Sequence, residues 1–265
     1  MPVFVGCDLG TMGSKAAVVD EDGTLLGEAY EEVDLHRPRA GWVEQDHLQI
    51  EASAHRVIRT AITASGRADD IAGVAFSGQM SGIGTIDASF EPATHYDSWL
   101  DTRCEPYITR MSEDAHRVMA TSGAPPTYSH GPKMMWWKHE RPDDYRRIAR
   151  FVPMGSFVAA RAAGLSVDDA FVDHTYLHFS NLADTRAGEW SEELVERFGL
   201  DLDRLPRIVA PTEVIGTVTR ATSELTGLPV GVPIAAGAGD TTAASLGAGA
   251  VRAGRAFDAA GTASV

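Results

Sequence analysis

A glycine-rich turn between an apolar run and a helix of small residues is the feature that most constrains the fold of this chain. Residues 232–236 (VPIAA) predict a strand, and residues 237–249 (GAGDTTAASLGAG) predict a turn that leads into a helix. Asp240 lies where this helix would begin. Such an aspartate either caps the helix or faces a ligand across backbone that only glycine permits. The stretch by itself leaves both roles open.

A second glycine turn follows the first predicted strand. Residues 2–7, 16–19 and 24–30 are strand-like and separated by turns, which predicts an antiparallel meander. The first turn contains Gly10, Thr11, Met12, Gly13, Ser14 and Lys15. Its glycines would let backbone N–H groups point into the loop, and its hydroxyls and lysine add donors, so the turn suits phosphate oxygens. Asp8, at the strand end, would hold a metal ion through water. A plain hairpin is the alternative interpretation.

A polar segment interrupts two further apolar runs. Residues 71–76 and 83–87 predict strands, and Gln79, Met80 and Ser81 lie in the break between them. Such a break lies at the edge or mouth of a sheet, where ligands often bind. A bulge or simple turn is the alternative.

Two residues before the helical stretch at 104–121 are candidates for ligand contact. Asp101 is either the cap of that helix or an acceptor for a ligand hydroxyl, and caps are the commoner use. Trp99 either covers the face of a sugar or packs half-buried. Both choices stay open from the sequence.

The histidines give weaker signals. His47 and His55 flank or occupy a predicted helix at residues 48–65 and are expected on its exposed side. His174 and His178 have the four-residue spacing of metal ligands, but no third ligand accompanies them, so a metal site is not expected there.

Composition limits the partners. The 265 residues include 37 acidic and 23 basic side chains, for a formal charge of −14, without a basic patch. Such a surface does not attract nucleic acid or an anionic membrane, so neither is expected as a partner. Two cysteines, no export signal and no uncharged apolar stretch of about 18 residues are typical of a cytoplasmic protein.

Six stretches, in collinear order, resemble the FGGY family of carbohydrate kinases, which includes xylulokinase and glycerol kinase. They are residues 8–15 (DLGTMGSK), 41–46 (GWVEQD), 77–82 (SGQMSG), 99–103 (WLDTR), 132–137 (PKMMWW) and 228–240 (LPVGVPIAAGAGD). Any one of them is a weak signal, but six in order are specific. The resemblance covers essentially the whole chain.

The resemblance implies an α/β fold, an actin-like (ribonuclease-H-like) domain with a mixed sheet flanked by helices. Residues 1–250 would form the N-terminal, sugar-binding domain of two, with a cleft between them. Residues 251–265 would be the start of a truncated C-terminal, nucleotide-binding domain, because family members are about twice this length. If the protein is oligomeric, a homodimer is the expected form.

The same resemblance implies ATP-dependent phosphorylation of a sugar hydroxyl, with a ketopentose such as xylulose, another ketose or a polyol as substrate. Asp240 would be the catalytic base, and Asp8 would hold Mg²⁺ through water. The phosphates would contact residues 10–15 and, from the other lobe, Gly261 and Thr262. The sugar site would consist of Gln79, Met80, Ser81, Trp99, Asp101, Asp240 and Thr241.

Two departures from the family pattern leave the substrate open. Ser81 stands where xylulokinases have the histidine of MHG, and residues 173–178 (DHTYLH) replace a pattern of small residues. A non-catalytic sugar-binding or sensor protein on the same scaffold is the competing hypothesis. A chaperone-type actin-like ATPase is disfavoured, because it would not require the stretches around Gln79 and Trp99.

Overall fold

The computed structural model of this chain describes residues 1–256 and Asp258. The strands in that part are β1 (Val3–Leu9), β2 (Gly13–Asp20), β3 (Leu25–Glu32), β4 (Glu44–Gln45), β5 (Ile71–Gly78), β6 (Gly84–Ile86), β7 (Tyr96–Asp97), β8 (Arg150–Val152), β9 (Phe171–Asp173), β10 (Ala183–Asp184), β11 (Glu189–Trp190), β12 (Arg207–Val209), β13 (Val214–Thr217) and β14 (Pro233–Gly239). The α-helices are α1 (His47–Ser65), α2 (Glu105–Ser112), α3 (Ala115–Ser122), α4 (His130–Glu140), α5 (Pro142–Arg147), α6 (Met154–Ala163), α7 (Leu177–Ser180), α8 (Glu192–Arg197), α9 (Arg220–Thr226) and α10 (Asp240–Gly247). Short 3-10 helices occur at Ala68–Asp70, Val167–Asp169, His174–Tyr176 and Leu202–Arg204.

A mixed six-stranded sheet forms the centre of the fold, in the order β13-β14-β5-β1-β2-β3. Strands β1, β2 and β3 form the predicted antiparallel meander, whereas β5 is parallel to both β1 and β14. Apolar residues alternate along β1, so Val3, Val5, Cys7 and Leu9 are buried on one face and Asp8 lies on the other. The expected mixed sheet flanked by helices is thereby confirmed.

Two helices cover one face of this sheet. Helix α1 packs against β1, β2 and β3, and α6 packs against β5, β13 and β14. Helix α1 begins where Asp46 caps it, with Asp46 Oδ1 accepting hydrogen bonds from the backbone N–H groups of Leu48 (2.8 Å) and Gln49 (3.3 Å). None of the helices in the described ranges is long and apolar enough to cross a membrane.

Some expectations about local structure are wrong. His47 is buried, not exposed, because the first turn of α1 lies beneath the edges of the Tyr96 and Phe157 rings. The helix expected at residues 104–121 is interrupted between Ser112 and Ala115 and forms α2 and α3.

Candidate active site

The carboxyl ends of β1, β5 and β14 meet at one edge of the sheet, and polar residues lie at each of them. Asp8 lies opposite Ser77 across β1 and β5, and Asp240 directly follows β14. The Ser77 hydroxyl donates a 2.7 Å hydrogen bond to Asp8 Oδ1. Asp8, Ser77, Asp240 and Thr241 line a cavity of about 390 Å³, which α10 completes. Two carboxylates therefore border one cavity at the edge where open α/β sheets bind ligands.

Asp240 is the first residue of α10, and Gly239 occupies the N-cap position. The backbone N–H and the hydroxyl of Thr241 donate hydrogen bonds of 2.6 and 3.2 Å to Asp240 Oδ1. Asp240 is therefore not the N-cap that the sequence left as one alternative. Burial raises the pKa of its carboxyl, the Thr241 N–H opposes this shift, and the negative charge of Asp8 adds to it.

The donors at this cavity suit a partly hydrated Mg²⁺. No group of three His, Cys, Asp or Glu side chains that could cage a metal occurs among residues 1–256 and Asp258. Mg²⁺ is commonly held by one or two carboxylates together with water and substrate phosphates, so a full protein cage is not required. Asp8, which borders the cavity and bonds Ser77 through one oxygen, is a donor of the type needed.

A bulge in β14 brings Asp240 to the cavity. The pairing of β14 with β5 shifts register between Ala235 and Ala238. Gly237, inside this bulge, has φ +82°, and a Cβ there would overlap the carbonyl oxygen of Phe76 in β5. Glycine is thus required both by the left-handed backbone and by the close approach of the two strands.

A partly buried chain of hydrogen bonds holds the turn before Asp240. Asp173 Oδ1 accepts bonds from the Thr175 hydroxyl (2.6 Å) and N–H (2.8 Å), and the Gly239 N–H donates to Thr175 Oγ1 (2.8 Å). Burial raises the pKa of Asp173 to about 6, although the bonds from Thr175 lower it. Sequence reasoning did not assign these residues a role; the signal was the Asp-x-Thr spacing of a local side-chain turn.

The predicted phosphate loop is the tight connection between β1 and β2. The Gly10 N–H donates a 3.0 Å bond to the Gly13 carbonyl. Neither glycine has a positive φ, so a left-handed backbone is not the reason for glycine at either position. Gly13 is needed for packing, because a Cβ there would lie 2.5 Å from the Tyr30 ring. Met12 is exposed at the tip of the loop.

Two residues assigned to the phosphate loop lie in β2. Ser14 is fully buried and its hydroxyl lies 2.6 Å from that of Ser53 in α1. Its side chain is therefore not a phosphate donor here, because strand alternation turns it into the core. Lys15 lies on the opposite face, across from Asp8, and its Nζ is 3.2 Å from Glu28 Oε2.

Two residues of the predicted sugar site lie against the phosphate loop. The Trp99 indole N–H donates a 2.7 Å hydrogen bond to Thr11 Oγ1. Gln79 is 1% exposed, and its Nε2 donates to Gln45 Oε1 at 2.7 Å. Gln45 belongs to the quoted GWVEQD stretch but had no role assigned from the sequence.

The next residues of the sugar-site segment are held by a buried histidine. Met80 packs on Gly239, where a Cβ would lie 2.6 Å from Met80 Cε, and Ser81 is partly exposed. The ring of His130 donates through Nε2 to the Met80 carbonyl at 2.7 Å. Burial lowers the pKa of His130 to about 4, so the ring is neutral near pH 7. His130 was missed because nothing in its sequence context connects it to residues 80–81.

Asp101 occupies neither of the positions expected for it. It is fully buried, and its carboxylate accepts bonds from the Arg103 guanidinium and from the Val43 N–H at 2.6 Å. Cys104, not Asp101, is the N-cap of α2. The prediction that Asp101 accepts a ligand hydroxyl is corrected, because both of its oxygens are bound within the core.

Gly261 and Thr262, the predicted nucleotide contacts from the second lobe, lie outside the described residues. The domain division at residue 250 also stays a prediction.

The meander, the parallel strands beside it and the carboxylates at their ends define one lobe of an actin-like (ribonuclease-H-like) fold. The N-terminal domain of the FGGY family of carbohydrate kinases matches residues 3–247, and the chain belongs to this family. The chain is 29% identical to the xylulose kinase of Bacillus subtilis over its whole length, which is 53% of that protein. It is 30% identical to the glycerol kinase of Nocardia farcinica, covering 96% of this chain and 51% of that protein.

Solved structures agree with this placement. A xylulose kinase from Brucella ovis superimposes with a TM-score of 0.88 at 29% identity, covering 98% of this chain and 52% of that one. The chain thus spans about half the length of the relatives it matches.

Proposed function

We propose that the intact protein transfers the γ-phosphoryl group of ATP to a hydroxyl of a sugar or polyol. The observation that carries this proposal is the pair Asp8 and Asp240, which border one cavity at the carboxyl edge of the sheet in an FGGY-family chain. The names of the relatives suggest a ketose or polyol, and a ketopentose such as xylulose is the first substrate to test.

Asp240 would act as the base. Phosphoryl transfer depends mainly on positioning and charge neutralisation, so the carboxylate needs only to orient the hydroxyl and accept its proton late. Its raised pKa makes it a better proton acceptor than an ordinary aspartate. The rate would fall as the pH drops through this raised pKa, because the base becomes protonated.

The remaining residues would bind and orient. Asp8 would hold Mg²⁺ through water, and the ion would neutralise charge on the phosphates when bound. The β1–β2 loop around Thr11 would lie against the phosphates, with Gly261 and Thr262 opposite. Gln79, Met80, Ser81, Trp99 and Thr241 would line the sugar site, whereas Asp101 would position the segment that carries Trp99.

The test is ADP release by the intact protein, with Mg²⁺ and ATP, against a panel of ketoses and polyols that includes D-xylulose and glycerol. One sugar should stimulate release, and Asp240→Asn should lower kcat by about a thousandfold. Asp69→Asn, at an exposed carboxyl just before the amino end of β5 and away from the cavity, is the matched control and should change little. Near-normal turnover by Asp240→Asn would remove the base assignment. Sugar binding by calorimetry without any stimulated release would identify a non-catalytic sugar-binding protein.

A further inference from the structure

Two residues of the proposed sugar site are connected by hydrogen bonds to Thr11 of the predicted phosphate loop, Trp99 directly and Gln79 through Gln45. Trp99 reaches its side chain directly, through the 2.7 Å bond from Nε1 to Thr11 Oγ1. Gln79 reaches its main chain through Gln45, whose Nε2 donates to the Thr11 carbonyl at 3.0 Å. The hydroxyl and the carbonyl of Thr11 are thus tied to two separate parts of the sugar site.

The direction of the Gln79–Gln45–Thr11 relay follows from donor and acceptor chemistry. A backbone carbonyl can only accept, so Gln45 must turn its NH₂ group to Thr11 and its Oε1 to Gln79. Gln79 must then present its own NH₂ group to Gln45, which leaves its Oε1 at the far end of the relay. The orientation of both amides is therefore determined by the one group that cannot donate.

The far end of the relay is an unsatisfied acceptor. Gln79 Oε1 is buried and has no hydrogen-bond partner within the described part of the chain. Leaving such a group unpaired costs about 1–3 kcal/mol, which a donor from a ligand would recover. Gln45, the middle of the relay, is fully buried; its bond to Gln79 is shielded from water, and its bond to Thr11 is partly shielded.

We propose that Gln45 and Thr11 couple occupation of the sugar site to the conformation of the phosphate loop. This inference rests on the proposed function. A sugar hydroxyl that donates to Gln79 Oε1 adds a bond at the free end of the relay, and this bond restrains Gln79, Gln45 and the Thr11 carbonyl together. Trp99, when a sugar packs on it, restrains the Thr11 hydroxyl in the same way. Gln45 is a positioning residue in this scheme, and neither Gln45 nor Thr11 needs to touch the sugar.

Coupling of this kind is reciprocal, so nucleotide must raise sugar affinity by the factor by which sugar raises nucleotide affinity. The experiment is calorimetry of D-xylulose, and of glycerol, binding to the intact protein with and without Mg²⁺ and a non-hydrolysable ATP analogue. We expect a ratio of affinities of at least about fivefold in the unaltered protein. Thr11→Val, which removes the hydroxyl, and Gln45→Met, which breaks the relay, should bring the ratio below about twofold.

Conservative variants separate coupling from general damage. Thr11→Ser keeps the hydroxyl and should restore most of the ratio that Thr11→Val loses. Trp99→Phe removes the indole N–H and with it the bond to Thr11, so it should lower the ratio. Trp190→Phe is its control: it removes a 2.7 Å bond to the Pro206 carbonyl elsewhere in the fold and should leave the ratio unchanged. If Gln45→Met does not fold, the Thr11 and Trp99 variants test the coupling without it.

Two failures are distinguishable. No sugar binding and no sugar-stimulated ADP release in the unaltered protein would overturn the proposed function. Sugar-stimulated release with a ratio of one, or a ratio that Thr11→Val and Trp99→Phe leave intact, would overturn the coupling and leave the kinase proposal standing.

Discussion

Asp173 shows how burial sets the chemistry of a single residue. Its carboxyl is buried beneath the turn that leads to Asp240, and burial raises its pKa to about 6 despite the two hydrogen bonds from Thr175. In the unfolded chain the carboxyl would titrate near pH 4. The folded protein therefore binds a proton on Asp173 more tightly than the unfolded chain does.

This difference predicts a pH-dependent effect of Asp173→Asn. The stabilisation that Asp173 contributes is fully present below about pH 4 and is lost as the pH rises through about 6, because the buried group must ionise. Asparagine keeps the acceptor but does not ionise. Relative to the unaltered protein, the variant should gain about 2 kcal/mol in free energy of unfolding between pH 4 and pH 7.

Urea unfolding at pH 4, 5, 6 and 7 measures this gain, and the contributions of other groups cancel in the comparison. Asp203→Asn, at an exposed position, is the control for the loss of one carboxyl. A difference for Asp173→Asn that stays constant from pH 4 to pH 7 would contradict the raised pKa of Asp173.

At the scale of elements, strand β14 is shaped by one residue. The bulge around Gly237 lets β14 pair with β5 on both sides of an irregularity and still deliver Asp240 to the cavity. The left-handed φ of Gly237 and the contact with the Phe76 carbonyl act together, so no other residue fits without moving a strand.

Gly237→Ala should therefore destabilise the fold by on the order of 4 kcal/mol, because the Cβ would force β14 away from β5. Gly231→Ala is a matched control: Gly231 also has a left-handed φ, +85°, but a Cβ there meets nothing within 4 Å. That change should cost only the conformational penalty of about 1–2 kcal/mol. Thermal or urea unfolding measures the loss of stability in both variants. An equal loss in Gly237→Ala and Gly231→Ala would refute the steric argument.

At the scale of the whole molecule, a buried ionic cluster joins three stretches that are far apart in sequence. The Arg103 guanidinium lies 2.6 Å from Asp101 Oδ2 and 2.8 Å from Glu44 Oε1, and its centre lies 3.8 Å from the Trp42 ring centroid. Lys133, in α4, donates to the Asp101 carbonyl at 3.2 Å. The cluster thus holds the GWVEQD, WLDTR and PKMMWW stretches together. Since Gln45 and Trp99 belong to the first two stretches, it also helps to position these residues.

Arg103→Leu should cost about 3–5 kcal/mol, because it leaves Asp101 and Glu44 buried without their shared cation. Arg103→Lys should recover part of this, since the charge is kept but the planar fork is lost. Arg117→Leu breaks an ion pair with Glu193 that is more than half exposed on both sides, so it should change stability by less than about 0.5 kcal/mol. Urea unfolding compares the three, and a small effect of Arg103→Leu would show that the cluster is not a structural support.

Other expectations on this scale stay predictions. They are the homodimer, the cytoplasmic location and the domain division at residue 250. Sedimentation of the intact protein would test the first.

Part of the fold was predictable because local patterns specify individual strands and turns, and the family resemblance implied how they are arranged. Alternating apolar residues and turn signals predicted the β1–β2–β3 meander, and the glycine turn after residue 236 placed Asp240 where a helix begins. The order of six short stretches indicated the family, which the match over residues 3–247 confirmed. These inferences depend on neighbours in the chain, which are visible in the sequence.

What only the tertiary structure decided is where side chains point and which distant groups they meet. Ser14 bonds Ser53, Asp101 binds the Val43 N–H, and Gln45 links Gln79 to Thr11, all across long separations in sequence. Hydrogen bonds and burial depend on which residues are close in three dimensions, and residue type and spacing along the chain do not show this. The sequence alone thus indicated the family, its fold and the candidate site residues. The tertiary structure decided which of these residues line the cavity, as Asp8 and Asp240 do, and which are buried in the core, as Ser14 and Asp101 are.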